Sequence, residues 1–500
     1  MKLPKGFETI GTELYPYQIE SVNFGIIRPN AGLLLDLGLG KTICAITIAR
    51  YRIQKGEIEK VLVVCPSTLL LNWKRQIERF SEYGALILAS NDRGERLTKA
   101  CLKDYPFNII NYEGLYPLLR DLSVLRKEKG SLIIENKELL EEFNYNMIIF
   151  DESARYLKNY ASQRSVASIV LADYAKYKLI LTGTIIANRP LDLWTQFRVL
   201  DGGKTFYTNP YMFKNKFFDK TDYGMFKKYT LKKQYISFFR SAIYKSCIRY
   251  TKKEVAPFLP EKIYHTIEIE MPPQLEKIYR KIEKQIISEI ITLEGTVELT
   301  ILNILTRLIR LQQITSGYVS EGKGKEKELP FKPKLEALIE ELETIIDNEE
   351  YAIVWCRFTK SIDLISERLK DLNINHVILD GRVTNKKEKD NIWKTYQKDP
   401  DMWVFIGQVE SGGFGIELFK EDSNPEKSQH DITYEGMYSV DIKEQSEGRI
   451  HRYGQKSTCR YINLIVKNTI DEKIEKIRVD KKILIDEIIE MGPRRFFDAK

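Results

Sequence analysis

GLLLDLGLGKTICAI, residues 32–46, writes an apolar strand, a glycine turn and an apolar helix in direct succession. Leu33, Leu34 and Leu35 read as the end of a buried strand, and Ile43, Cys44, Ala45, Ile46 and Ile48 as the helix that follows. In the turn between them, Gly38, Leu39 and Gly40 can aim backbone N–H groups at an anion, where a helix N-terminus carries partial positive charge. Lys41 can reach β- and γ-phosphates and Thr42 can ligate Mg²⁺. A glycine-rich turn with no ligand has the same local shape, but GKT directly after an apolar strand favours the phosphate cradle. Such loops usually open on a small residue five positions before the second glycine; here that residue is Leu35.

Two further features need a cradle nearby. MIIFDES at 147–153 is an apolar strand ending in carboxylates, which puts Asp151 and Glu152 at the C-terminal edge of a sheet, where α/β ligand sites form. Asp151 is then expected to hold Mg²⁺, and Glu152 to polarise the water that attacks a γ-phosphate. An acidic helix N-cap is the plainer reading of the same pair. Far downstream, QSEGRIHRYGQ at 445–455 carries Arg449 and Arg452 three apart, hence on one face of a helix. Alone they read as a solvated basic face; with the cradle they suit the charge that builds on a phosphoryl group in flight. His451 reads as a positioning residue.

At 500 residues the chain predicts more than one domain, because single cores stop growing near ~250 to 300 residues. Apolar content of 43% and charged content of 30% are those of a folded, water-soluble protein, and a net charge of +8 permits an anionic polymer as partner. Six scattered cysteines with no CxxC pair suggest neither zinc nor disulfides, which fits a reducing cytosol. No stretch approaches the ~18 apolar residues of a membrane span. The expected location is therefore cytoplasmic, and the abundance of Lys, Ile and Tyr suits a bacterial cell or a phage-infected host.

Short apolar runs alternate with helical patterns in two blocks. Strands are expected at 32–35, 61–66, 107–111, 147–150 and 178–182, then at 352–356, 376–380, 403–407, 431–435 and 461–466. Strands spaced by helices make parallel, doubly wound α/β sheets, so the fold class is α/β with one such lobe per block. The expected domains are an ATP-binding lobe at 1–200, helical protrusions and a linker at 201–330, a second lobe at 331–475 and a helical tail at 476–500. In the second of these spans 274–313 reads as long helix, and 321–334 (EGKGKEKELPFKPK), across its end, as solvated linker.

The ordered set LYPYQ, DLGLGKT, VVCPSTLLLNW, INYEGL, FDESARYLKN, LTGT, RYTKKEV, LQQITSG, FKPKLEAL, IVWCRF, LDG, SGGFGIEL and QSEGRIHRYGQ runs from about 14 to 475. It resembles the Swi/Snf-type branch of superfamily 2 helicases and translocases, and the HRYGQ ending and RYTKKEV separate it from RNA-dependent DEAD-box relatives. The resemblance implies two RecA-like P-loop lobes with helical insertions between them and an ATP-filled cleft, Mg²⁺ as cofactor, and catalysis by Lys41, Asp151, Glu152, Arg449 and Arg452. Gln18 is implied to read the adenine edge, and Gly415 and Gln445 to join Gly38, Leu39, Gly40, Lys41 and Thr42 in binding ATP. Pro66, Ser67, Asn111, Tyr112 and Asn188 of the first lobe are implied to line the DNA track. Arg357, Phe358, Gly381, Ser411, Gly412 and Gly413 of the second do the same, through contacts to phosphates that do not read sequence.

Three positions depart from that pattern. Ala154 stands where the family commonly has the histidine of DEAH, Ile185 where LTGTP has proline, and Tyr438, Ser439 and Val440 where an aromatic-Asn-Pro step is usual. An alanine cannot donate the histidine's hydrogen bond, so hydrolysis is expected to survive more securely than its coupling to movement. The expected function is an ATP-dependent, monomeric double-stranded DNA translocase that remodels protein–DNA complexes or branched DNA. A strand-separating DNA or RNA helicase and a nucleotide-gated clamp are the alternatives.

Overall fold

The computed structural model describes residues 2–479 apart from short stretches, the longest at 294–300, 409–415 and 438–442. The chain divides into two compact units: Met1–Lys220 with Tyr229–Pro257, and Thr221–Lys228 with Phe258–Lys500.

The first unit is built on seven strands: β1 Asn30–Leu35, β2 Val61–Cys65, β3 Ala85–Ile87, β4 Phe107–Asn111, β5 Met147–Asp151, β6 Tyr177–Leu181 and β7 Cys247–Tyr250. Their order across the sheet is β7-β1-β6-β5-β2-β4-β3, and neighbours pair in parallel. Parallel strands need crossovers, and crossover helices cover both faces of the sheet. That is why β2 and β5 read as unbroken apolar runs whose every residue is buried. Helix α1 Pro16–Ile27 precedes β1, and the crossovers include α2 Lys41–Gln54, α3 Leu70–Phe80 and α4 Tyr112–Asp121.

The second unit repeats the plan with six strands: β8 Lys262–Ile269, β9 Tyr351–Cys356, β10 His376–Leu379, β11 Val404–Gln408, β12 Ser428–Thr433 and β13 Thr458–Val466. Their order is β8-β13-β12-β9-β11-β10, again parallel throughout. The expected α/β class with two parallel sheets is the observed one, and each expected strand is present within a few residues.

Three strands escaped the periodicity: β3, β7 and β8. Each is an edge strand, paired on one side only, so it has no need of an unbroken apolar run. β8, KIYHTIEI, buries only Ile269. The span 201–330 is therefore not a helical insertion between lobes: β7 completes the first sheet and β8 the second. The long helical pattern at 274–313 divides into Pro273–Leu293 and Ile301–Thr315.

Nor is 321–334 a solvated linker. Tyr318–Gly322 pairs antiparallel with Lys325–Glu328, and a helix starts at Pro333. Lys334, on that helix, is completely buried and ion-paired with Asp471, which is 3% exposed at the side chain. The pair joins Pro333–Asp347 to the helix Ile470–Val479. Of the expected helical tail, residues beyond 479 lie outside the described residues.

Residues 205–246 extend the first unit's core with a group of aromatic rings. Phe206, Phe213, Phe217, Phe218 and Phe239 are buried, with Phe206 centred 4.8 Å from Phe239 and 5.3 Å from Phe213. The tilted and edge-to-face arrangements suit the aromatic quadrupole. These rings fix the helices Pro210–Phe217 and Ile236–Ser246.

Removing one member of a buried ion pair leaves the other desolvated and unpaired, at a cost of about 3 to 5 kcal/mol. Lys334→Met is expected to lower stability by that amount in urea denaturation. Adding Asp471→Asn should recover most of the loss; a double variant as unstable as the single would refute the pairing.

Candidate nucleotide site

The cradle forms as its sequence dictates. β1 ends at Leu35 and α2 begins at Lys41, and Gly38 and Gly40 between them adopt φ of +84° and +81°. That left-handed conformation favours glycine. At Gly40 there is a second reason: an added Cβ would stand 2.4 Å from the Gln18 Nε2. Gln18 is 6% exposed and spans α1 and the loop, donating from Nε2 to the Leu39 carbonyl at 3.1 Å while its Oε1 accepts from the Tyr15 N–H. Tyr17 donates to the same carbonyl. The residue expected to read an adenine edge thus braces the phosphate loop. Lys41 Nζ donates to the Leu35 carbonyl at 2.9 Å, and Thr42 is half-buried beside it.

Asp151 ends β5, buried, and its two carboxylate oxygens accept from the Trp73 Nε1 at 2.8 Å and the Glu152 N–H at 3.0 Å. Burial, and after it the charge of Glu152, raise its carboxyl to about 7; the Trp73 hydrogen bond and the Lys41 charge pull the other way. Both direct donors are neutral, and the favourable charge on this buried carboxylate comes from Lys41. Glu152 caps the following short helix at φ 52°, ψ 40°, left-handed backbone for a non-glycine residue and a common feature of functional sites. A glycine-shaped ring of N–H donors, a lysine, a hydroxyl and a buried carboxylate fit a magnesium nucleotide: Thr42 and Asp151 would hold the metal, and residues 38–42 the phosphates.

Periodicity alone did not single out Trp73 or Gln196. Trp73 lies on the buried face of α3, and a buried indole N–H needs an acceptor, which is the one signal its sequence offers. Gln196 is completely buried and accepts from Ser153 Oγ at 3.0 Å while donating to the Ile185 carbonyl at 2.9 Å. This chain ties the segment after Asp151 to the loop after β6, next to Ala154, itself 3% exposed.

Tyr112 corrects the expected DNA track. Its ring is completely buried, stacks on Tyr156 at 4.6 Å, and its hydroxyl donates to the Asp151 carbonyl at 2.8 Å. It supports the carboxylate from below and does not face solvent. Pro66 is buried too, whereas Ser67 is exposed and Asn111 half-buried at the C-terminal end of β4. Asn188 lies outside the described residues.

In the second unit, Arg357, Phe358 and Gly381 are brought together at the C-terminal ends of β9 and β10. Glu435, fully buried, accepts from the Arg357 N–H at 2.8 Å and from Ser316 and Ser361. Gln408 donates to the Arg357 carbonyl at 2.8 Å and accepts from the Gly381 N–H at 3.4 Å. Ser411, Gly412, Gly413, Gly415, Gln445 and the departures Tyr438, Ser439 and Val440 lie outside the described residues.

Arg449 and Arg452 do not share a helix face. Helical backbone stops before Gly448, and the segment continues as turns, with Arg449 N–H bonded to the Ser446 carbonyl and Gln455 N–H to that of Arg452. A glycine at this point ends the helical pattern that three-residue spacing suggested. Arg449 is 3% exposed and donates to the Ile416 carbonyl at 3.2 Å; Arg452, half-buried, donates from Nε to the Gly448 carbonyl at 2.7 Å. His451 donates from Nε2 to the Pro260 carbonyl, 2.9 Å away, which ties the β8 approach to this segment.

Residues 17–316 match the SNF2-related domain family. A Mycoplasma pneumoniae protein described as an uncharacterized ATP-dependent helicase is 28% identical over 487 residues, 96% of this chain and 42% of that protein. The DNA repair and recombination protein RDH54 of Saccharomyces cerevisiae is 27% identical over 570 residues, 95% of this chain and 56% of its own. The chain thus spans about two fifths to somewhat over half of these relatives. Among solved structures, a SWI2/SNF2 ATPase core of Sulfolobus solfataricus in complex with double-stranded DNA is 24% identical at a TM-score of 0.43, covering 100% of this chain and 97% of that one.

The raised Asp151 carboxyl sets a pH dependence. Between about pH 4 and about 7 the folded chain holds this proton and the unfolded chain does not, so the group's contribution to stability falls as pH rises through that window. In buffer free of metal and nucleotide the slope is up to about 1.4 kcal/mol per pH unit. Asp151→Asn is expected to flatten the stability profile across this range; an unchanged slope in denaturation at pH 5, 6 and 7 would contradict the assignment.

Proposed function

The chain belongs to the SNF2-related family, and on that premise we propose that it is a nucleic-acid-stimulated ATPase that moves along double-stranded DNA. The observation that carries the reading is the buried Asp151 carboxylate, flanked by Glu152, within the electrostatic reach of Lys41 at the N-terminus of α2. Backbone N–H groups of 38–42 and the Lys41 ammonium hold the phosphates. Thr42 and Asp151 would hold magnesium, which would supply Lewis-acid charge neutralisation. Trp73 and Tyr112 keep Asp151 in place, and Glu152 orients the attacking water.

Duplex DNA as the track draws on the relatives: RDH54 is named for DNA repair and recombination, and another at 24% identity over 506 residues is an ISWI chromatin-remodeling complex ATPase of Saccharomyces cerevisiae. Net motion, as opposed to a static clamp, gains support from the Ser153–Gln196–Ile185 chain, which offers a polar link beside Ala154 where the family histidine is missing. Remodelling of protein–DNA complexes or of branched DNA follows as the product of that motion. Among the described residues no helix is long and apolar enough to cross a membrane, and Cys44, Cys65, Cys247, Cys356 and Cys459 are buried free thiols, which suits work in a reducing cytoplasm.

Glu152→Gln is expected to lower DNA-stimulated ATP turnover by about 10² to 10⁴-fold, the usual worth of a positioned general base. Lys41→Ala should lower it comparably, and turnover within twofold of the parent in either variant would dismiss the phosphate site. Release of a third strand from triplex DNA on ATP addition is the expected sign of motion; ATPase without release indicates a clamp, and unwinding of a forked duplex a helicase. Arg452→Ala should lower turnover at saturating ATP while leaving the urea midpoint unchanged, whereas Arg449→Ala should lower the midpoint, because Arg449 is buried against the Ile416 carbonyl.

A further inference from the structure

The whole of the chain's net charge sits in one tenth of its length. Residues 201–250 hold eleven Lys and Arg against three Asp and no Glu, a net +8, and the net charge of all 500 residues is also +8. The other 450 residues are neutral overall. Blocks of one sign are usually solvated tails, but here Lys214, Lys216, Arg240 and Lys245 stand on helices fixed by the Phe206, Phe213, Phe217 and Phe239 core.

Among the described cations, Lys214, Lys216 and Lys232 are held in place by aromatic faces and by a helix end. Lys214 Nζ lies 4.6 Å from the centre of the Tyr160 ring and 5.5 Å from that of Tyr229, and Lys216 lies 5.8 Å from Tyr235. Lys232 donates to the Asn215 and Lys216 carbonyls at the end of the helix Pro210–Phe217. Aromatic faces and helix ends fix an ammonium without cancelling its charge, so the positive field survives and side-chain entropy is already spent before any ligand arrives. Lys216, Lys233, Arg240 and Lys245 are exposed. Asp201 accepts from the backbone N–H groups of Gly203, Lys204 and Thr205.

We propose that this basic, aromatic insert is an auxiliary DNA contact, one that grips the phosphate backbone electrostatically and apart from the motif residues of the expected track. Charge complementarity identifies the occupant: a dense row of fixed cations fits a polyphosphate, with one charge per ~1.7 Å of duplex axis. The inference rests on the reading of the chain as a DNA-stimulated ATPase. It adds a tether that keeps the protein on DNA through the part of the ATP cycle in which track contacts loosen.

The test is fluorescence anisotropy of a labelled duplex with the full chain, across a salt series, without nucleotide. The variant is Lys216→Gln, Lys233→Gln, Arg240→Gln and Lys245→Gln together; the control is Lys2→Gln, Lys5→Gln, Lys55→Gln and Lys176→Gln, four exposed lysines outside the insert. The insert variant is expected to bind at least about 10-fold more weakly at low salt, with a log Kd against log salt slope shallower by about 2 to 4, since each lost phosphate contact removes ~0.9. The control should change neither by more than twofold, and ATP turnover without DNA should be the same in all three proteins. Equal affinity and slope in parent and insert variant overturn the contact, as does an equal loss in the control, which would mean bulk charge alone. Tighter binding of the parent to phosphatidylserine vesicles than to duplex, lost in the insert variant, also overturns it in favour of a membrane. If the parent itself neither binds duplex nor is stimulated by it, the proposed function fails first, and that result is distinct from every other.

Discussion

The Asp151 carboxylate is buried at the end of β5 with a tryptophan N–H and a backbone N–H as its direct donors. Leaving a carboxylate charged in that setting costs several kcal/mol unless a cation is supplied. Much of the first unit's detail answers to this constraint. Trp73 comes from α3, Tyr112 from α4 supports the carbonyl of the same residue, and Glu152 takes up a left-handed backbone so that its N–H can point back at the carboxylate. A fold that kept Asp151 only for stability would do better with an apolar residue there. A site that receives a cation with its ligand has reason to keep it.

The second dependence is geometric. In a fully parallel sheet, every strand delivers its C-terminal end to the same edge, so the glycine turn after β1, the carboxylate after β5 and Asn111 after β4 share that edge although some 115 residues separate the first from the second. The second unit uses the same rule for Arg357, Gly381 and Gln408, with Glu435 as the buried acid that fixes the Arg357 backbone. Each unit thus has its own buried acid at its own strand ends. In the second, burial raises the Glu435 carboxyl, while two serine hydroxyls and the Arg357 N–H stabilise its ionised form.

Most of the sheet architecture was legible because buried parallel strands cannot hide: β1, β2, β5, β9 and β11 are read directly from apolar runs. The strands that were missed are those with one side open to solvent. β8, with Lys262, Tyr264, His265 and Glu268 along it, has the composition of a surface segment and is recognised only through its register with β13. The charged stretch ending at Lys334 misled for the complementary reason. Its lysines predict solvation, yet Lys334 has a buried partner 137 positions away in Asp471, and sequence offers no sign of that pairing.

Sequence alone determined the phosphate loop, since Gly38, Gly40, Lys41 and Thr42 act through their own backbone and a short reach to the next helix. It also determined the α/β class and the total charge. The tertiary structure alone decided which residues support the site: that Tyr112 is buried under Asp151 and not on a surface, that Gln18 braces the loop, that Arg449 and Arg452 lie in turns, and that Gln196 links Ser153 to Ile185. The physical reason is range. A turn conformation or an apolar period is fixed by neighbours a few residues apart, whereas the partner of a buried polar group is whatever the packing of distant elements brings within 3 Å of it.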